Sequence, residues 1–180
     1  AEGHARGIIQ RSFSSCRPVG SEAEDILRQG AACMEFNELV KSEIADLRAK
    51  GMKGVVLSSM WSAVVQNDPL QRPSSASAEG PLTVAEKVDL TSQALGRVVA
   101  GLEAQGLRIL IIAPTHIMPR LVPQCLARHS VEDCSGLREP LEMLREPAMQ
   151  ALRKVASAHP DTVRIWDPID QLCDSRLCLA

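Results

Sequence analysis

Polar side chains that could do chemistry follow three apolar segments of the sequence, each at the point where the segment ends. Ser58 and Ser59 follow the first segment, His116 follows the second, and Asp167 follows the third. Serine, histidine and aspartate are the residue types of a hydrolytic triad, in which the histidine takes the proton of the serine nucleophile. A triad is recognised by geometry and not by chain position, so the residue types alone do not establish one.

The sequence around these residues favours roles other than catalysis. Ser59 lacks the GxSxG turn that presents a nucleophile in many hydrolases. A more ordinary role for this hydroxyl is to form hydrogen bonds with backbone groups at a buried strand end. His116 fits a loop position on the rim of a site. We therefore do not expect these residues to form a catalytic triad, and we expect Ser59, Trp61 and His116 to bind substrate. Trp61 has an alternative role, since its ring could instead pack beneath the loop that follows it.

An alternation of strands and helices must position these residues. Apolar, largely β-branched segments recur near residues 8, 55, 109 and 164, and a helical pattern lies in each gap. Such alternation requires right-handed crossovers and a parallel sheet covered by helices on both faces. We predict one α/β domain, flavodoxin-like in outline, in which polar residues at the strand ends share one edge.

Apolar periodicity, caps and breakers predict the bounds of the elements. The predicted strands are Gly7 to Ser12, which is weak, a segment that begins at Gly54, a segment from Arg108 to Ala113, and Val163 to Asp167. The predicted helices run from Cys33 to Lys50, from a capping box at Thr83 to Gly106, and over Leu141 to Val155. Pro147 is expected either to kink the last of these helices or to delay its start. Long loops are expected at Gln66 to Pro81 and between His116 and Gly136.

The six cysteines form three couples of near neighbours. Short loops close most easily, and every couple falls in a predicted loop or at the boundary of an element. We predict three local disulfides, and hence an oxidising compartment. The couples are Cys16 with Cys33, Cys125 with Cys134, and Cys173 with Cys178. Free, partly buried thiols in a cytosolic protein are the alternative. No CxxC pair or histidine at ligand spacing supports a metal site.

The composition excludes several classes of function. The net charge is −2 and no basic stripe is present, so nucleic acid is not an expected partner. No apolar run approaches the ~20 residues of a membrane helix. No nucleotide-binding glycine motif follows a strand, and we expect no cofactor. The chain begins at Ala1 without a signal peptide, and we interpret it as a piece whose targeting information lies elsewhere.

A succession of spaced motifs runs through nearly the whole chain. The motifs are SSCRP at 14–18, CMEFN at 33–37, VVLSSMW at 55–61, AP at 113–114 with PQC at 123–125, and DP at 167–168 with LCD at 172–174 and Cys178. This succession resembles the SGNH-hydrolase-like domain of bacterial acyltransferases that O-acylate cell-envelope polysaccharides. In such proteins the domain follows an acyltransferase-3 membrane domain. The succession is more specific than any one of its motifs.

The resemblance implies that parts of the domain lie outside this chain. In the family, the nucleophilic serine lies in a GDSH-like block on the strand before this chain's first strand. The histidine and its aspartate lie in a DxxH block shortly after the last cysteine, and neither block is present here. We therefore expect residues 1–180 to form most of one SGNH-like domain, with an incomplete sheet, no catalytic residue and no activity of their own. The segment at 59–61 replaces a GxND asparagine of many SGNH enzymes, which leaves the oxyanion donors unassigned.

The resemblance also implies a function and a location. The implied chemistry is O-acyl transfer or ester hydrolysis on an envelope polysaccharide such as lipopolysaccharide O-antigen, by a serine that a histidine activates. The expected partners are the polysaccharide acceptor, the acyl donor and the acyltransferase-3 domain of the parent chain. The expected location is the periplasm, with the parent chain as the tether to the inner membrane. The alternative is a non-catalytic extracytoplasmic domain that binds a glycan or a protein, because fold analogy alone does not establish catalysis.

Overall fold

The computed structural model describes residues 7–13, 16–19, 31–65, 82–118 and 120–180. In chain order the elements are α1 (Ala31–Ala49), β1 (Gly54–Leu57), α2 (Trp61–Val65), α3 (Val84–Glu103), β2 (Arg108–Ile112), α4 (Val122–Leu126), α5 (Val131–Cys134), β3 (Gly136–Leu137), α6 (Arg138–Ala158), β4 (Val163–Trp166), α7 (Ile169–Leu172) and β5 (Leu177–Cys178). The predicted loop from Gln66 to Pro81 lies outside the described residues.

The central sheet has three parallel strands in the order β1-β2-β4. The register places Val55 beside Ile109 and Ile109 beside Val163. A separate pair of short antiparallel strands, β3 and β5, lies near the end of the chain. The α/β class that the alternation predicts is confirmed.

The long helices α3 and α6 pack against each other and against one face of the sheet. Both crossovers advance in the same direction, from β1 to β2 and from β2 to β4, so right-handed connections place both helices on the same face. The core between them is apolar and almost fully buried, and it includes Leu95, Val99, Ile109, Ile111, Leu152 and Val163. The described residues leave apolar side chains exposed on the opposite face. Helices that would cover that face are not among the described residues.

Local signals in the sequence set the helix ends where they were expected. The hydroxyl of Thr83 accepts a hydrogen bond from the backbone N–H of Glu86, and the Glu86 carboxylate accepts one from the backbone N–H of Thr83 at 2.7 Å. This capping box begins α3. Gly51 and Gly106 follow α1 and α3 with φ angles of 98° and 70°, a conformation that glycine adopts at low cost after a helix.

Three expectations about secondary structure differ from the structure. Residues 7–12 form no strand, because no described strand lies beside them to share backbone hydrogen bonds. The region between His116 and Gly136 contains α4 and α5, and Ser130 begins α5 with a capping box of its own. Pro147 does not delay α6, since this helix begins at Arg138 and continues past the proline.

Candidate functional site

The carboxyl ends of the three parallel strands lie at one edge of the sheet, where ligands bind in open α/β folds. Ser58 and Ser59 follow β1 directly, Thr115 and His116 lie beyond the end of β2, and Asp167 follows β4. Ser58 is exposed, whereas Ser59 and His116 are half-buried. The fold therefore brings the sequence-predicted polar residues to a shared edge.

Arg145, on the buried side of α6, joins the ends of β2 and β4. Its side chain is almost completely enclosed. The Nε atom donates a hydrogen bond to the Pro114 carbonyl at 3.0 Å, and Nη2 donates to Oδ1 of Asp167 at 2.6 Å. The same Oδ1 accepts the backbone N–H of Ile169 at 3.1 Å. A buried charge requires a partner of opposite charge, and this ion pair fixes the spacing of the two strand ends.

Sequence reasoning missed Arg145, although a signal was present. The buried stripe of α6 includes Leu141, Ala148 and Leu152. Arg145 lies four residues after Leu141 and three before Ala148, so it falls on the same stripe. A cation on an apolar stripe predicts an acidic partner for its buried charge, and the structure shows that this partner is Asp167 at the end of β4.

His116 lies against the disulfide near the end of the chain. Its Nδ1 atom is 3.8 Å from Sγ of Cys173. Burial lowers the pKa of His116 below its ordinary value, and the positive charge of Arg145 lowers this pKa further. The imidazole is therefore neutral at pH 7, with one ring nitrogen able to donate and the other able to accept a hydrogen bond.

The triad of Ser59, His116 and Asp167 is not assembled in the part of the chain that the structure describes. Asp167 is held by Arg145 and by the backbone N–H of Ile169. The His116 ring makes no hydrogen bond to either of the other two members among the described residues. Whether any residue of the chain is catalytic stays a matter of prediction, as do the substrate-binding roles of Ser59 and His116.

Trp61 is a core residue in this structure, which argues against its predicted contact with substrate. The side chain is 1% exposed, and its Nε1 atom donates a hydrogen bond to the Ile112 carbonyl at 2.8 Å. The ring therefore joins α2 to the end of β2 and has no surface for a sugar. The alternative role, packing beneath the surface, fits the observation. Trp61 and Val65 are four residues apart on one buried helical face, a spacing that already favoured a core position.

The three predicted disulfides are present. They join Cys16 to Cys33, Cys125 to Cys134, and Cys173 to Cys178. His116 and the last of these cysteine pairs place three potential metal-ligand atoms within 4.8 Å of one another. The two sulfurs are bonded to each other, and metal binding requires thiolates. This group is therefore not a metal centre in the oxidised protein.

The parallel sheet and its polar carboxyl edge define an α/β domain of the kind that binds ligands at its strand ends. A family model described as the SGNH domain fused to AT3 domains matches residues 1–180. Because the match spans the whole sequence, the chain belongs to this family, and the resemblance found in the sequence is confirmed. Comparisons with curated proteins and with solved structures found no match.

Membership of this family supports an acyltransferase or hydrolase-like role in general. The fusion in its description supports a membrane acyltransferase-3 domain, and thus a membrane tether, in the parent chain. In the described part of residues 1–180, no helix combines the length and apolarity that a membrane span requires.

Proposed function

We propose that the chain is the SGNH portion of an enzyme that transfers acyl groups, such as acetyl, to a cell-envelope polysaccharide, for example lipopolysaccharide O-antigen. The observation that carries the proposal is the family match over residues 1–180, with its fusion to acyltransferase-3 domains. The membrane domain would supply the acyl group, and the SGNH domain would pass it to the polysaccharide.

The disulfides support a periplasmic location. Three disulfides in a chain of this length are typical of an oxidising compartment and rare in a reducing one. An envelope polysaccharide is accessible from the same side of the inner membrane. The proposed arrangement is therefore a periplasmic SGNH domain that the parent chain tethers to the inner membrane.

The proposed mechanism divides the work between this chain and its flanking segments. Residues 1–180 contain no GDS or DxxH block. The serine nucleophile and the histidine base would come from outside this range, and they would form and then discharge an acyl-enzyme intermediate. Ser59 and the neutral His116 would bind sugar hydroxyls at the edge, while Trp61 would support the edge from beneath.

A second candidate is a domain that binds a glycan or a protein without catalysis. The observation behind it is that the described residues assemble no catalytic triad of their own, since Asp167 is paired with Arg145. Under this proposal the polar edge would hold its ligand, and the parent chain would carry out acyl transfer elsewhere.

The test compares hydrolysis of p-nitrophenyl acetate by residues 1–180 and by the same sequence extended at both ends. The short protein should show no turnover, and the extended protein should hydrolyse the ester. When the extended protein transfers acetyl to the envelope polysaccharide, Ser59→Ala and His116→Ala should raise KM for this acceptor more than they lower kcat. The controls are Ser42→Ala on α1 and His129→Ala between α4 and α5, which change exposed residues.

Two outcomes would contradict the proposal. If Ser59→Ala abolishes turnover by a folded protein, and the trapped acyl group is found on Ser59, this chain carries its own nucleophile. If the extended protein binds the envelope polysaccharide but neither hydrolyses esters nor transfers acyl groups, the non-catalytic role is correct.

A further inference from the structure

His116, Cys173 and Cys178 come together beside the end of β2, although different elements carry them. His116 lies beyond β2, Cys173 directly follows α7, and Cys178 belongs to β5. Their ligand atoms all lie within 4.8 Å of one another, and Nδ1 of His116 is 3.8 Å from Sγ of Cys173. The described residues contain no second group of three cysteine, histidine or acidic side chains with this property. The disulfide occupies both sulfurs in the oxidised protein, so the ligand chemistry of this group belongs to its reduced state.

Hydrogen bonds hold Cys173 and Cys178 opposite each other in addition to the disulfide. The two residues form an antiparallel bridge. The backbone N–H of Asp174 donates to the Leu177 carbonyl at 2.9 Å, which closes the turn between the cysteines. The Asp174 carboxylate accepts the backbone N–H groups of Arg176 and Leu177 at 2.7 Å each. Reduction breaks one covalent bond and leaves these hydrogen bonds in place, so the two thiols stay neighbours.

The spacing and the distances fit a zinc site. Four residues separate Cys173 from Cys178, and paired cysteine ligands of zinc are typically separated by about two to four residues. Zinc bonds are about 2.3 Å to sulfur and about 2.0–2.1 Å to nitrogen, so a tetrahedral site places nitrogen and sulfur ligands about 3.5 Å apart. The 3.8 Å between Nδ1 of His116 and Sγ of Cys173 is close to this value. Nδ1 is therefore the ligand atom, and Nε2 carries the proton.

Burial and charge favour a divalent metal that binds thiolates. Cys178 is completely buried and Cys173 is 7% exposed, with Leu141 and Ile169 in the same apolar cluster. A lone thiolate would be costly in such surroundings. Two thiolates, one neutral imidazole and one Zn²⁺ have a net charge of zero, so the complete site is compatible with them. Thiolate ligands also select Zn²⁺ over Mg²⁺ and Ca²⁺, which prefer oxygen.

We propose that reduction of the Cys173–Cys178 disulfide creates a Zn²⁺ site in which His116 is the third ligand. A dithiol reductant becomes a disulfide, and its two hydrogens pass to the sulfurs of Cys173 and Cys178. Zn²⁺ then binds both sulfurs and Nδ1, and the two thiol protons go to solvent. The described residues supply three ligands, which leaves the fourth position for water. The metal would replace the covalent link, and it would also join the end of β2 to β5. This site goes beyond the proposed function and does not depend on acyl transfer.

Co²⁺ titration of the full parent protein tests whether the site exists. The protein is reduced with a dithiol, freed of it without oxygen, and titrated with Co²⁺, which replaces Zn²⁺ and absorbs visible light. The reduced protein should show thiolate-to-cobalt charge transfer and the strong visible bands of tetrahedral Co²⁺, and Zn²⁺ should abolish both. The oxidised protein should show neither.

Variants assign the ligands. Cys173→Ser combined with Cys178→Ser should abolish the thiolate bands that these residues produce. His116→Asn should weaken Co²⁺ binding at least about tenfold, the smallest loss typical even of an outer-shell partner. The matched controls are Cys125→Ser combined with Cys134→Ser, which removes another disulfide, and His129→Asn, which changes a histidine four residues after Cys125. Both controls should leave these bands and the Co²⁺ affinity unchanged.

Circular dichroism follows the fold in every sample, so that loss of binding through unfolding is recognised. A reduced, folded protein without thiolate bands would overturn the proposal, and so would bands that remain unchanged without Cys173 and Cys178. An unchanged Co²⁺ affinity in His116→Asn would overturn the assignment of the third ligand. Unfolding on reduction that Zn²⁺ does not reverse would also count against the site, because the metal should replace the lost link. These readouts need no turnover, so failure of the proposed acyl transfer leaves them intact.

Discussion

Replacing Arg145 by methionine tests whether one buried guanidinium holds the strand ends in place. Methionine keeps much of the apolar stem's packing and removes every donor. The change removes the hydrogen bond to the Pro114 carbonyl and leaves the Asp167 carboxylate with the backbone N–H of Ile169. The strand ends that carry His116 and Asp167 then lose their common anchor.

The expected loss of stability follows from the burial of the two partners. Removing one member of a buried ion pair costs about 3–5 kcal/mol, because the remaining charge is uncompensated. The side chain of Asp167 is 33% exposed, so water screens its charge and the lower end applies. We expect the free energy of unfolding to fall by about 3 kcal/mol in Arg145→Met.

The same substitution should change the titration of His116. Burial is the larger cause of its lowered pKa and remains, whereas the charge of Arg145 is the smaller cause and disappears. The pKa of His116 should therefore rise part of the way toward its ordinary value. Since folded His116 binds fewer protons than the unfolded chain, stability falls as the pH drops below about 6.5, and the variant should show a smaller fall.

Urea unfolding and histidine NMR titrations, on the domain with its flanking segments, measure both effects. His116→Asn assigns the resonance. Arg153→Met, which breaks an exposed ion pair with Glu146 on the same helix, is the control and should cost at most about 1 kcal/mol. In a double-mutant cycle, Asp167→Asn should show a coupling of about 1.5–3 kcal/mol with Arg145→Met. A coupling near zero, or an unchanged pKa of His116 in a folded variant, would refute the reasoning.

Two further predictions concern the backbone. A Cβ atom at Gly54 would lie 2.7 Å from the Arg108 carbonyl oxygen, so Gly54→Ala should lower the free energy of unfolding by about 1–3 kcal/mol. A Cβ atom at Gly101 on α3 would meet no atom within 4 Å, so Gly101→Ala should raise this free energy by about 0.5–1 kcal/mol. Equal effects in urea unfolding would contradict this contrast. The Asp174 carboxylate accepts two backbone N–H groups at 2.7 Å, which lowers its pKa. The stabilisation that the ionised Asp174 carboxylate gives to the fold is complete above a pH of about 3.9, and it is lost as the pH falls through the lowered pKa. Asp174→Ala should speed hydrogen exchange of the amides of Arg176 and Leu177 at neutral pH, and unchanged exchange would contradict the assignment.

The features that sequence reasoning predicted depend on residues close together in the chain. The capping box at Thr83 needs only Glu86 and the backbone between them. The disulfides join cysteines 5 to 17 residues apart, so sequence proximity predicted their pairing. The parallel sheet followed from the alternation of apolar strands with amphipathic helices.

The features that sequence reasoning missed depend on contacts between distant elements. Residues 7–12 have a strand-like pattern, but a strand forms only beside another strand. The sequence left two roles open for Trp61, contact with substrate or packing beneath a loop, and the choice depends on a distant contact, because the Ile112 carbonyl on β2 accepts its N–H group and the ring is buried. The role of Arg145 required knowing that α6 and the end of β4 meet.

The order in which the strands are added has a consequence for biogenesis. The sheet grows in one direction along the sequence, so each new strand pairs with the strand made before it, and α6 packs on the earlier α3. During synthesis, which proceeds from the amino end, the described part of the chain can therefore fold stepwise, with each segment packing on a surface that already exists. The cysteines of each disulfide also emerge within a short interval of one another, which favours native pairing before the next pair appears. A circular permutant that begins between β2 and β4 would break this order, and its folding should become slower or more dependent on chaperones.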